Sequence, residues 1–149
     1  MTLLYLRPSS WDLPLFVHVL GATVLFGGML ALTVLAVAVW RRRESAALLS
    51  RHAFRLLLLL VLPAWIVMRV GAQLIVDREF RKHAPGWVSV GVVVSEPGLV
   101  LLIVIGILAW LSARGGGRGR AAGAVAVLAP IYLVALAVAW FAMSAKPGS

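Results

Sequence analysis

Leu13-Pro-Leu-Phe-Val-His18-Val-Leu-Gly21-Ala-Thr-Val-Leu-Phe26-Gly27-Gly28-Met29-Leu-Ala-Leu32-Thr-Val-Leu-Ala-Val-Ala-Val-Trp40, closed at once by Arg41-Arg42-Arg43, is the segment that decides the fold. It holds one ionisable residue, His18, and outlasts the roughly 20 apolar residues that cross a bilayer core at the helical rise. A signal peptide would have a shorter apolar region, a basic amino end and a small-residue cleavage pattern. Here the amino end carries Arg7 and Asp12. An uncleaved membrane helix, tilted or projecting beyond the core, fits the segment better.

Working outward, the rest of the chain repeats the same composition. Of 149 residues, 62% are hydrophobic and 13% charged, against about half and about a quarter in a soluble domain. Further apolar runs give spans at 56–76, 96–113 and 121–143 beside the first at 13–40, so residues 1–149 form a single integral membrane domain. The expected fold is all-α, a four-transmembrane-helix bundle. Pro63 frees a carbonyl in the second span and invites a kink, and Pro130 sits in the fourth. Ser95 is placed to cap the third helix, with Glu96 and Pro97 in its first turn. The loop 77–95 is the long one. Its last part, Trp87 to Val94, is either an extended lid or an early start to the third helix. No internal repeat is visible.

Charge sets the direction. Arg41, Arg42, Arg43, Arg51 and Arg55 face only Glu44 between spans one and two, and Arg114, Arg118 and Arg120 follow span three with no acid. The loop 77–95, with Glu96 just beyond it, balances Arg78, Arg81 and Lys82 against Asp77, Glu79 and Glu96. Lys and Arg mark the cytoplasmic side, so the N-terminus and C-terminus are expected outside and the two basic loops inside. The net charge of +9 then reads as orientation and lipid headgroup contact, not nucleic-acid binding. Zero cysteines exclude disulfide frameworks, thiolate nucleophiles, Cys-ligated zinc and iron–sulfur clusters. The Gly-rich turn Arg114–Arg120 lacks the order of a phosphate-binding loop. No carboxylate pair lies within a span, and no HExxH or Ser/His/acid spacing occurs, so an enzyme is not indicated.

Polar residues within spans cost several kcal/mol unless paired or wetted, which makes them the first candidates for function. His18 lies about 8 Å inside the outer end of span one, and Arg69 about 10 Å inside that of span two, with Gln73 one turn shallower. Glu96, Trp140 and Met143 close the same outer layer. His18, Gly21, Leu25, Gly28 and Leu32 form the stripe that faces neighbouring helices. Trp65, Arg69, Gln73 and Asp77 fall at successive i+4 positions, and Arg69 facing inward would meet Glu96, Asp77 or a ligand's anionic group. Trp65, one turn from Arg69, suits stacking on the guanidinium or on a planar ligand. His18, Arg69, Trp65 and Gln73 are therefore the candidate cofactor-binding residues, with His18 the candidate metal ligand. Plainer roles exist for each. A lone His bonds a carbonyl of the next helix, an Arg two turns deep snorkels, and Gln73 needs no function. His52 suits a headgroup contact and His83 a solvated loop. Trp11, Trp40, Trp87, Trp110 and Trp140 mark the interfaces.

Phe16-Val-His18-Val-Leu-Gly21-Ala-Thr-Val-Leu-Phe26-Gly27-Gly28, with Pro63-Ala-Trp65 behind it, resembles the first helices of a loose group of small bacterial membrane proteins. The group includes copper-resistance-D-like permease domains, the membrane-bound protoporphyrinogen oxidase, and uncharacterised four-span proteins of actinobacteria, which it resembles most. The resemblance implies a multi-pass protein of the bacterial cytoplasmic membrane and, from the haem-linked relatives, haem b held by His18. The oxidase-like relatives also carry an intramembrane Lys, and spans three and four here hold none. Copper handling draws on clustered Met and His, whereas Met29, Met68 and Met143 are scattered. Three functions are thereby expected to compete: a ligand or cofactor protein, an oligomeric anion or solute transporter or channel, and an accessory subunit of a larger membrane complex. Membrane lipids and either copies of itself or a larger complex are the partners implied.

Overall fold

A computed structural model describes residues 12–41, 44–79 and 86–145. Helix α1 covers Asp12–Arg41, α2 Ala46–Leu56, α3 Leu62–Glu79, α4 Gly86–Arg114 and α5 Arg120–Ala145, and a π turn, Leu57–Val61, joins α2 to α3 in one rod. Among the described residues there is no strand. Four helical stretches are long and apolar enough to cross a membrane. The chain is a four-helix bundle and a small multi-pass membrane protein, with α1 and the α2–α3 rod, then α4 and α5, running alternately up and down.

The element ends differ from the sequence expectation in two places, each for a physical reason. The second helix begins at Ala46, ten residues before the apolar run at Leu56. Its first three turns are amphipathic: Ala46, Ser50 and Ala53 are buried while Arg51, His52 and Arg55 are exposed. Polar residues on one face made this stretch look like loop, although the 3.6-residue period was there. Ser95 is not a helix cap. The third helix starts at Gly86, so Trp87 to Val94 is helical and not a lid, and Ser95 and Pro97 lie within it. A proline can sit inside a helix when the backbone group it frees is otherwise satisfied, which neighbouring groups in a bundle allow.

Pro63 lies just beyond the π turn, which accommodates it. Its ring would meet the carbonyl four residues back, and it offers no N–H. Just before it the helix widens by one residue, and the Leu62 N–H donates to the carbonyl of Leu57, five residues back. At the basic end, Gly116, Gly117 and Gly119 have φ of 68°, 75° and 98°, a left-handed conformation that side chains disfavour. Gly117 donates to the carbonyl of Ser112 at 2.7 Å and closes α4. A side chain on Gly117 would collide with the backbone of Ala46, so this turn docks the two basic segments against each other.

Leu25, Met29, Leu32, Leu57, Val61, Leu102, Ile105 and Tyr132 form the centre of the core. Leu13, Phe16, Val34, Leu59, Val93 and Phe141 are exposed on the outside, as a lipid-facing surface requires. Packing around the ring is uneven. α1 lies along α3 and α5, α4 lies along α5, and α2 approaches α4, but α3 and α4 barely touch. The helices draw together at the basic end, and among the described residues the backbones of α3 and α4 lie further apart at the other, along a junction here termed the seam.

Candidate functional site

The α1–α3 crossing is made by glycine. A Cβ on Gly71 would lie 2.6 Å from the His18 nitrogen and 2.8 Å from its Cα. One turn along, a Cβ on Gly21 would strike the backbone of Met68. Small residues at this spacing let two backbones touch, which is how membrane helices associate without a hydrophobic drive between them. The close approach places His18 Nδ1 2.9 Å from the carbonyl oxygen of Met68. A carbonyl only accepts, so Nδ1 is the donor in this bond.

The other flank of α3 carries charge. Arg69 donates from one guanidinium nitrogen to Glu96 Oε1 of α4 at 2.6 Å, and from the other to Gln73 Oε1 at 3.2 Å. Gln73 in turn donates to Asp77 Oδ1 at 2.9 Å. Of the i+4 strip expected from sequence, Arg69, Gln73 and Asp77 thus form one hydrogen-bonded chain that reaches Glu96 of α4, and Trp65 stays outside it. That chain lies on the surface of the bundle: the Arg69 and Glu96 side chains are 28% and 59% exposed.

Behind this chain the polar atoms are buried. Trp65 is 9% exposed, Ser95 8% and Tyr132 1%, and Trp65 Nε1, Ser95 Oγ and Tyr132 Oη have no hydrogen-bond partner. A Cβ on Gly98 would lie 2.6 Å from the Tyr132 hydroxyl, so that hydroxyl rests on α4 where glycine makes room. Ser95 is one turn from Gly98 on the same buried stripe.

The structure therefore separates residues that depth had grouped. His18 belongs to the tight crossing, and its partner is a backbone carbonyl. Arg69, Gln73 and Glu96 belong to the open seam. Trp65 lies in the core beneath that strip, and among the described residues Arg114 stacks on a Trp ring, 4.3 Å over Trp110. Trp140 packs edge-on against Phe26 at 5.3 Å, and Met143 presses on Gly91. His52 is at the basic end, bonded to the carbonyl of Leu48 in its own helix. His83 lies outside the described residues. Sequence reasoning missed Tyr132, although Val125, Ala129 and Tyr132 already mark a helical stripe on α5.

Nothing in the fold supports a haem held by His18, whose Nδ1 is taken by the Met68 carbonyl. Backbones in contact at Gly21 and Gly71 leave no slot for a macrocycle between α1 and α3. Among the described residues, no group of three or more His, Cys, Asp or Glu is placed to hold a metal. A cavity of about 10 Å³ at the basic end, between Ser50, Ser112 and their alanine neighbours, holds about one water at most. What the α3–α4 seam offers chemically is a neutralised charge pair and hydrogen-bond donors. No family model, curated protein or solved structure matches the chain.

Proposed function

We propose that the protein binds a lipophilic small molecule at the seam between α3 and α4, entered sideways from the bilayer. The observation behind this is the Glu96–Arg69–Gln73 chain on the exposed flank of two span-capable helices that scarcely pack. Ionisable residues in spans normally face a bundle interior or a wet cavity, because lipid tails leave them unsolvated. Here they line a weakly packed junction instead, where a polar head can share their hydrogen bonds and an apolar body can lie along the helices. With the Arg-rich end in the cytoplasm, we place the seam in the outer half of a bacterial cytoplasmic membrane. An anion pathway is less well supported, since Glu96 already neutralises Arg69. Purified protein, extracted and subjected to mass spectrometry, should carry a near-stoichiometric lipophile that the Arg69→Met/Glu96→Gln double variant loses. The same lipid content in both would remove this proposal.

A further inference from the structure

We infer that the seam selects a neutral lipophile with a carbonyl oxygen, held by hydrogen bonds from Trp65 Nε1, Ser95 Oγ and Tyr132 Oη. This rests on the seam being a ligand site. Three helices each bring one buried polar atom without a partner, in a region where a buried group left unpaired destabilises the fold. An indole N–H can only donate, and hydroxyls donate or accept, so donation is what the three have in common. They therefore match an acceptor.

The acceptor is uncharged. A carboxylate or phosphate this deep would need a free cation beside it, and Arg69 is committed to Glu96 and Gln73. The geometry ties the donors to the seam. Trp65 is one turn before Arg69 on α3, Ser95 immediately precedes Glu96 on α4, and Tyr132 rests on Gly98 one turn further along. The part-exposed Arg69–Glu96 pair thus lies on the same stretches of α3 and α4 that carry the buried Trp65 and Ser95. The same carbonyl chemistry is found in the acyl ester of a membrane phospholipid and in a free quinone.

Infrared difference spectra of the full chain in a sugar detergent without carbonyls test the inference. One arm uses a decyl-substituted benzoquinone labelled with carbon-13 at the ring carbonyls, the other a phosphatidylcholine labelled at the ester carbonyls, each added near stoichiometry. The expected result is a labelled band moved to lower frequency in one arm. Tyr132→Phe, Ser95→Ala and Trp65→Phe should each weaken binding about two- to tenfold, the equivalent of one hydrogen bond. A shift in the first arm supports carbonyl recognition with a free lipophile as source, and a shift in the second supports it with a lipid. A probe that binds with an unshifted band, or indifferently to all three variants, overturns the inference and leaves the seam as a ligand site. Failure of both probes to bind, with no lipophile lost in Arg69→Met/Glu96→Gln, overturns both and leaves the donors to buried water. If Tyr132→Phe does not fold, Ser95→Ala and Trp65→Phe give the same readout.

Discussion

On its α1 side, helix α3 meets its neighbour backbone to backbone, through Gly21 and Gly71, with one histidine-to-carbonyl hydrogen bond across the contact. On its α4 side the two backbones come close at few positions, and polar side chains near the surface bridge the helices. In lipid, helix association depends on close van der Waals contact and interhelical hydrogen bonds. The first flank supplies both and the second only the hydrogen bonds. The difference shows that polar residues at one depth need not share one purpose: His18 fastens a joint, and Arg69 borders an opening.

The largest effect should follow from filling the tight flank. Gly71→Ala places a methyl group against the His18 backbone, and Gly21→Ala does the same against Met68. Neither neighbour is a side-chain tip that can swing away, so each substitution should destabilise by about 1–3 kcal/mol, the range of overpacking. Unfolding in mixed detergent micelles measures it. Wild-type stability in both would mean that the helices are not in contact there. His18→Ala comes next. It removes one interhelical hydrogen bond, about 1 kcal/mol in a membrane bundle, and should leave lipophile retention at the seam intact. Loss of retention with unchanged stability would place His18 at the ligand and reverse the division of the two flanks.

The division was only partly legible in the sequence. Apolar runs and arginine clusters gave four helices, and the stripe of Gly21, Leu25, Gly28 and Leu32 gave the buried face of α1, because membrane length and helical period are local properties. The i+4 series from Trp65 to Asp77 gave the strip, and Glu96 was among the partners foreseen for Arg69. What the sequence could not show was azimuth between helices. His18 and Arg69 share a layer, yet the crossing at Gly71 sends His18 to the Met68 side of α3, and Arg69 emerges beyond it toward α4. Ser95 misled for another reason: Ser-Glu-Pro has the composition of a helix start, yet the helix that begins at Gly86 runs on through it. Tyr132 stayed hidden because a single hydroxyl barely changes the hydropathy of an apolar helix.

At the open flank, stability and binding should part. Arg69→Met and Glu96→Gln each break the bridge, but exposed pairs are worth under about 1 kcal/mol, and these side chains are 28% and 59% exposed. Unfolding should therefore shift less than in the glycine variants, while retained lipophile falls. Equal losses of stability from Glu96→Gln and Gly71→Ala would show that the seam is a packed interface after all, and the contrast between the flanks would disappear.

Pro63→Ala should do least, for a reason that joins the two flanks. Restoring the N–H would permit an ordinary α-turn where the π turn now widens the helix. Removing that extra residue, however, would rotate α3 by about 100° against α1. Gly71 would leave His18, Gly21 would leave Met68, and bulkier residues would meet in their place. The tight crossing therefore holds the register of α3, and the π turn should survive without its proline, with stability changed by no more than about 0.5 kcal/mol. Spin labels on Val70 of α3 and Val93 of α4, both exposed, report the seam directly by electron–electron resonance. An unchanged separation is expected in Pro63→Ala. A narrowed seam would show that proline itself keeps α3 away from α4. Deleting Leu59 should widen the distance distribution, because removal of the extra residue forces the rotation that the glycines oppose.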